Sequence, residues 1–336
     1  MPGMKQSTIK KVLRKKLDQW GDSINQHSKA NNITELSEDM IRTLKENTMV
    51  CGGAITSMLM GEKPNDYDLY FKNKATVLLM SNYYSGRFKK SHGTNITVKQ
   101  YKFRNIRNQE EDRVGFWIQS AGIASETSNP YRYFECVSED SITENYFDSL
   151  TTSDEGPNPP EGDSIEEGIA FAKEIQRSSV SFRPIFFTDN AVTLANKIQI
   201  VIRFYGEAEQ IFDTYDYAHN MCSYDYKNDK LFVPATAMEA ILSKTLIYQG
   251  SLYPVSSIFR MRKFINRGWR ITAGQMLKIL WQIKDINLDS VPVLRDQLMG
   301  VDIAYMSQLI SHLTNLPKGT KIDSIYIAKL IDEIFD

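Results

Sequence analysis

The sequence predicts an α+β fold, with strands in its front two thirds and helices behind. Three observations carry this. Short runs rich in Val, Ile, Tyr, Phe and Trp recur from about residue 48 to residue 206, as strands require. From about Ala235 to "IYIAKLIDEIF" the apolar spacing turns helical. No internal repeat offers a solenoid instead. The expected division is 1–47 as N-terminal helices, 48–234 as a sheet-bearing unit with an acidic insertion at about 138–168, and 235–336 as an α-helical C-terminal domain.

The elements follow in order. Residues 7–27 read as a helix with Ile9, Val12, Leu13, Leu17 and Trp20 on one face and Lys and Arg on the other. That basic side is either a solvated surface or a nucleic-acid contact. Ser37 begins a second helix through about Asn47. An opening strand, a glycine turn and the helix "AITSMLMG" come next, followed by a strand carrying Asp66 and Asp68. "NITVKQYKF", "VGFWIQSAGIA", "YRYFECV" and the buried-type "IQIVIRFYG" read as further strands. Ser138–Gly168 is acidic, lacks Lys and Arg, and holds Pro and Gly near its middle, so it reads as a surface insertion open to a protein partner. Trp269 and Trp281 read as core aromatics of the helical region.

Composition sets the frame. The 336 residues are 42% apolar and 24% charged, with net charge −1, so no global basic field points to a polyanion. No apolar run reaches the ~18 residues of a membrane helix. The first residues lack the apolar core of a signal peptide. Cys51, Cys136 and Cys222 are odd in number and far apart, which suggests free buried thiols in a reducing compartment. The expected location is cytoplasmic, with no membrane partner.

The chemistry is expected in "MVCGGAITSMLMGEKPNDYDLYF", residues 49–71. Gly52 and Gly53 let the backbone approach a ligand closely. The helix that follows points N–H groups at anions. Residues i and i+2 of a strand share a face, so Asp66 and Asp68 stand side by side. Two such carboxylates suit a hard divalent cation, Mg²⁺ or Mn²⁺. Together these parts fit the movement of a nucleotidyl group from a nucleoside triphosphate.

This stretch resembles the head motif of the DNA polymerase β-type nucleotidyltransferase superfamily, and within it the tRNA CCA-adding enzyme and bacterial poly(A) polymerase family. "DYAHNMCSYD" (216–225), "KLFVP" (230–234) and "SSIFRMRKFINRGWRI" (256–271) are similar, in the right order, to later elements of that family. The chain as a whole also looks like nucleotidyltransferase-like proteins of tailed phages, for which the compartment is host cytoplasm. The resemblance implies a head with a mixed sheet, then a helical neck and body. It places Asp66 and Asp68 on the metal, and Gly52, Gly53, Thr56, Ser57, Asn220, Arg260 and Lys263 around the nucleotide. It implies an RNA acceptor. A third carboxylate is expected, either Glu135 or Asp216; if "IQIVI" is the neighbouring strand, Gln199 takes the place instead.

The departures limit what is implied. Thr56 and Ser57 replace the family's Arg-Asp pair, and Thr214 and Tyr215 replace arginines. Tyr253, Pro254 and Ser257 replace its base-reading Glu, Asp and Arg; neither tyrosine nor proline can imitate a carboxylate acceptor. Templated CTP and ATP selection is therefore not expected. His92 and His219 read as structural histidines. Two expectations stand: a metal-dependent nucleotidyltransferase acting on an acceptor hydroxyl, or a catalytically degenerate module of a phage complex. An enzyme that nucleotidylates a protein is a further option.

Overall fold

A computed structural model of the chain describes residues 3–33, 36–93, 95–105, 107–118, 124–125, 182–298, 324–326 and 328–329. "YRYFECV", with Glu135, and the acidic segment 138–168 lie outside them.

Helix α1 (Gln6–Ala30) buries Ile9, Leu13, Leu17, Trp20 and Ile24. Their spacing of three or four turns one stripe toward the core. Its basic side is partly used within the molecule: Lys10 and Arg14 pair with Asp229 at 2.7 and 3.8 Å. Helix α2 (Glu38–Glu46) starts where Ser37 predicts, the hydroxyl accepting from the Met40 N–H.

Then follow β1 (Thr48–Cys51), α3 (Gly53–Met60), β2 (Tyr67–Phe71), α4 (Lys74–His92), β3 (Ile96–Arg104) and β4 (Glu110–Ile118). The last two form their own antiparallel hairpin, in register from Ile96↔Ile118 to Arg104↔Glu110. β4 starts four residues before the apolar run suggested, because its charged end pairs across the hairpin; Lys102 meets Glu110 at 2.7 Å. Next come β5 (Ala124–Ser125), β6 (Pro184–Phe187), β7 (Ala191–Leu194), β8 (Ile198–Tyr205), α5 (Ala208–Phe212), a 3₁₀ turn (Ala218–Asn220), β9 (Ser223–Asp225) and β10 (Lys230–Phe232).

Among the described residues these build a mixed sheet in the order β10-β9-β1-β2-β8-β7-β6-β5. The β2–β8 pairing is parallel and the rest are antiparallel. Alternation along the strands separates two faces. Val50, Leu69, Phe71, Ile198, Ile200 and Ile202 join the main core with α1 and α4. There Trp20 stacks on Phe71, and its indole N–H donates to the Tyr84 hydroxyl at 2.8 Å. Met49, Cys51, Tyr70 and Val201 occupy the opposite face in a smaller apolar cluster with Ile211. The candidate site stands on this second face.

Behind the sheet lie α6 (Ala235–Ser243), β11 (Thr245–Leu246), α7 (Pro254–Asn266), β12 (Arg270–Ile271), α8 (Ala273–Ile283) and α9 (Val291–Leu298). β11 and β12 form a short parallel pair. An aromatic knot of Tyr217, His219, Phe264 and Trp269 joins the 3₁₀ turn to α7. Trp269 is a core residue as expected, whereas Trp281 is 65% exposed. Helix α8 carries an apolar face at Met276, Leu277, Leu280 and Trp281 that is exposed, and among the described residues it packs instead by Ile279 and by Gln275 and Gln282, whose amides bond the backbone of 248–251. No helix among the described residues is long and apolar enough to cross a membrane.

Candidate nucleotide and metal site

Gly52 sits between β1 and α3 with φ 92° and ψ −148°, a region essentially reserved for glycine. Its N–H donates to the Cys222 carbonyl at 3.0 Å. A Cβ built at Gly52 would lie 3.2 Å from Tyr215 Oη and 3.4 Å from Asp68 Oδ2. Backbone, phenol and carboxylate thus converge on a point that only a glycine leaves open. A Cβ at Gly53 would lie 3.8 Å from Asn220 Oδ1, so Asn220 borders the same helix start.

Asp66 immediately precedes β2 and Asp68 lies within it, both half-buried. Asp68 is in register with Cys51 on one side and Gln199 on the other. Residues in register emerge on the same face of a sheet. "IQIVI" is therefore the strand beside the aspartates, and an amide takes the place next to Asp68. Asp216 is 6% exposed and accepts a hydrogen bond from Arg260 Nε at 2.6 Å. This ion pair ties α7 to the sheet-bearing part, so two residues assigned separate roles are partners of each other. Glu135 lies outside the described residues. Among those described, no group of three His, Cys, Asp or Glu is placed to hold a metal.

The rest of the expected shell divides. Thr56 is buried and donates to the His219 carbonyl at 2.6 Å, clamping α3 to the 3₁₀ turn; Ser57 is buried beside it. Lys263 is half-buried on α7, one turn beyond Arg260. Burial pushes the Tyr215 phenol well above its ordinary pKa, with Tyr70, Cys51 and Asp68 adding to the effect. Cys51 and Cys222 are free and buried. Burial raises the Cys51 thiol and pushes Cys222 up to about 12, so neither is a thiolate at neutral pH.

His219 is 1% exposed, and its ring centre lies 4.4 Å from that of Phe264 and 4.3 Å from that of Trp269. Among the described residues neither ring nitrogen has a hydrogen-bond partner. Burial, then Arg267, lowers its pKa to about 3, so it stays a neutral structural residue. His92 stacks on Phe88 at the end of α4.

Tyr253, at one of the base-reading positions of the resemblance, is buried. Its hydroxyl accepts from Arg113 Nη2 at 3.0 Å, and the Arg203 guanidinium lies 4.6 Å from its ring centre. Arg113 also pairs with Glu111 at 2.6 Å. Burial first, and Arg113 next, lower Arg203 to about 10. Tyr253 thus joins α7 to the sheet and hairpin. Sequence reasoning singled out neither arginine, although one interrupts the apolar run of "IQIVIRFYG".

Comparison with known proteins adds the following. The curated "Gabija anti-defense 2" of Bacillus phage SPbetaL7 is 22% identical over 107 residues, covering 31% of this chain and 27% of that protein. The chain thus matches about a quarter of the length of that relative. Among solved structures, the Thermotoga maritima CCA-adding enzyme complexed with tRNA matches with a TM-score of 0.36 and 10% identity, over 90% of this chain and 52% of that one. A CCA-adding enzyme in complex with CTP matches with a TM-score of 0.33 and 11% identity, over 90% and 58%. A family model described as "Gabija anti-defense 2 family protein" matches residues 11–244, from α1 past the last strand of the sheet. With most of its length matched, including both glycines, both aspartates and Asn220, the chain belongs to the Gabija anti-defense 2 family.

Proposed function

We propose that this protein acts for a phage against the Gabija defence as a metal-dependent nucleotidyltransferase, moving a nucleotidyl group from a nucleoside triphosphate to an acceptor hydroxyl. The observation that carries the reading is the convergence of Gly52 and Asp68 Oδ2 at the start of α3. The missing side chain lets the backbone lie close to a carboxylate, next to helix N–H groups that favour phosphate.

The donor set fits a hard divalent cation: Asp66 and Asp68 supply carboxylate oxygens and are half-buried rather than sealed. Mg²⁺ held there would polarise the α-phosphate and steady the pyrophosphate. The chain's own part is positional. Gly52 and Gly53 border the phosphates, and Asn220 flanks the helix start. Tyr215 packs over Gly52 and beside Asp68. RNA is the acceptor that the sequence resemblance favours, and a protein of the defence system is the other.

One observation favours a second reading, nucleotide capture without transfer. Gln199 stands where a third carboxylate would complete the metal set, and a neutral amide weakens two-metal chemistry. A single experiment separates the two. The purified protein, an Asp66→Asn/Asp68→Asn variant and Gln199→Glu are each incubated with labelled nucleoside triphosphates, Mg²⁺ and a mixed RNA and protein acceptor pool. Transfer by the wild type that is abolished in the double variant supports the enzyme. Metal-dependent binding with no transfer by wild type or Gln199→Glu supports capture. Mg²⁺-dependent binding that survives the double variant unchanged sinks both.

A further inference from the structure

We propose that the protein has a second ligand site, away from the aspartates, for a nucleoside monophosphate unit. A cavity of about 680 Å³ lies between the β3–β4 turn, the 248–251 segment and α8, with Ile286 and Val293 also in its lining. That size suits a small ligand, and none of its lining residues belongs to the site at Gly52 and Asp68.

Its wall is preorganised. The Gln282 side chain donates to the Ser251 carbonyl at 2.5 Å. It accepts from the Ser251 N–H at 3.1 Å and from the Tyr248 hydroxyl at 2.6 Å. These groups are committed to one another and hold the wall still. Two cations face the space from different elements. Arg107 is placed by a turn in which its backbone N–H donates to Asn105 Oδ1 at 2.9 Å. The Lys278 ammonium is fixed at 2.5 Å by the Tyr248 carbonyl. Among the described residues neither forms a salt bridge, and Asp285 is the one carboxylate in the lining. Gly250, with φ 105°, keeps the ground beside Arg107 open; a Cβ there would lie 3.8 Å from Arg107 Nη2.

Trp281 completes the chemistry. It is 65% exposed at the cavity, with the Lys284 ammonium 3.9 Å from its ring centre. A large aromatic surface beside two cations matches a ligand that is flat at one end and anionic at the other. Guanidinium and ammonium bind phosphate by charge-assisted hydrogen bonds, and a base stacks on the indole whatever its identity. A nucleotide has both parts.

The test is equilibrium dialysis of labelled AMP against the full-length protein in EDTA, which disables any metal-dependent binding at Asp66 and Asp68. Saturable binding is expected, equal within about twofold in the Asp66→Asn/Asp68→Asn variant and roughly tenfold weaker in Arg107→Ala and in Trp281→Ala. Both replaced side chains are exposed, so their loss leaves the core intact. No AMP binding by the wild type overturns the proposal. So does loss in the aspartate variant with retention in Arg107→Ala and Trp281→Ala. Inorganic phosphate that competes as well as AMP overturns the aromatic half of the assignment. A 5′-phosphorylated trinucleotide in the same assay identifies the source: tighter binding than AMP assigns the site to a nucleic-acid end, weaker binding to a free nucleotide.

Discussion

Replacing Gly52 and Gly53 one at a time by alanine should give opposite results, although the two are neighbours. Gly52 has φ 92° and ψ −148°, which costs an L-residue about 1–3 kcal/mol. The new methyl would also crowd Tyr215 Oη at 3.2 Å, so the phenol beside Asp68 must give by a few tenths of an ångström, while Asp68 Oδ2 at 3.4 Å is at the edge of ordinary contact. Gly53 is the first residue of α3, and its methyl would meet Asn220 Oδ1 at 3.8 Å, an ordinary contact. Alanine is the better helix former by up to about 1 kcal/mol, so Gly53→Ala should be neutral or slightly stabilising. Urea unfolding at pH 7 should therefore separate the variants by roughly 2 kcal/mol or more. Calorimetry with Mg²⁺ and a nucleoside triphosphate should show weaker binding for Gly52→Ala. Equal stability of the two variants, or full binding by Gly52→Ala, would refute both the backbone argument and the place given to Asp68.

Two further predictions concern groups around the site. Arg260→Met should cost about 3 kcal/mol in urea unfolding, because it strands the nearly buried Asp216 carboxylate. Asp216→Asn/Arg260→Met should recover much of that, and strictly additive costs would show that the pair is not coupled. His219, with pKa about 3 when folded and 6.5 as its ordinary value, takes up protons first in the unfolded chain. Its contribution is therefore intact above about pH 6.5 and is lost as pH falls toward 3, by about 3 kcal/mol between pH 7 and pH 4. His219→Leu should flatten the stability–pH curve by that amount; parallel curves for variant and wild type would mean that the ring titrates normally.

What the sequence made legible was local. The Ser37 cap, the glycine turn, α3 and the aspartate strand each depend on neighbours within a few residues, and each stands close to where spacing put it. Gln199 beside Asp68 depends instead on the register of two strands far apart in the chain, which no local pattern encodes. Asp216 looked like a free carboxylate because its arginine arrives from α7, 44 residues later. Trp281 was misread because helical spacing puts it on an apolar face with Met276, Leu277 and Leu280, which a periodicity argument turns inward, whereas among the described residues the helix is anchored from the other side by the amides of Gln275 and Gln282.

The clamp between Thr56 and the His219 carbonyl joins residues 163 positions apart. Gly52 to Cys222, and Asp68 to Gln199, likewise join the front of the chain to residues far downstream. A chain emerging from the ribosome therefore carries both glycines and both aspartates long before it carries their surroundings. Loop closure of that length must come first, and long-range strand pairing is slow. Until then no partly formed version of the proposed site could capture a nucleotide or a metal. A ligand of that site would recognise only the finished protein, and its binding would stabilise that state alone.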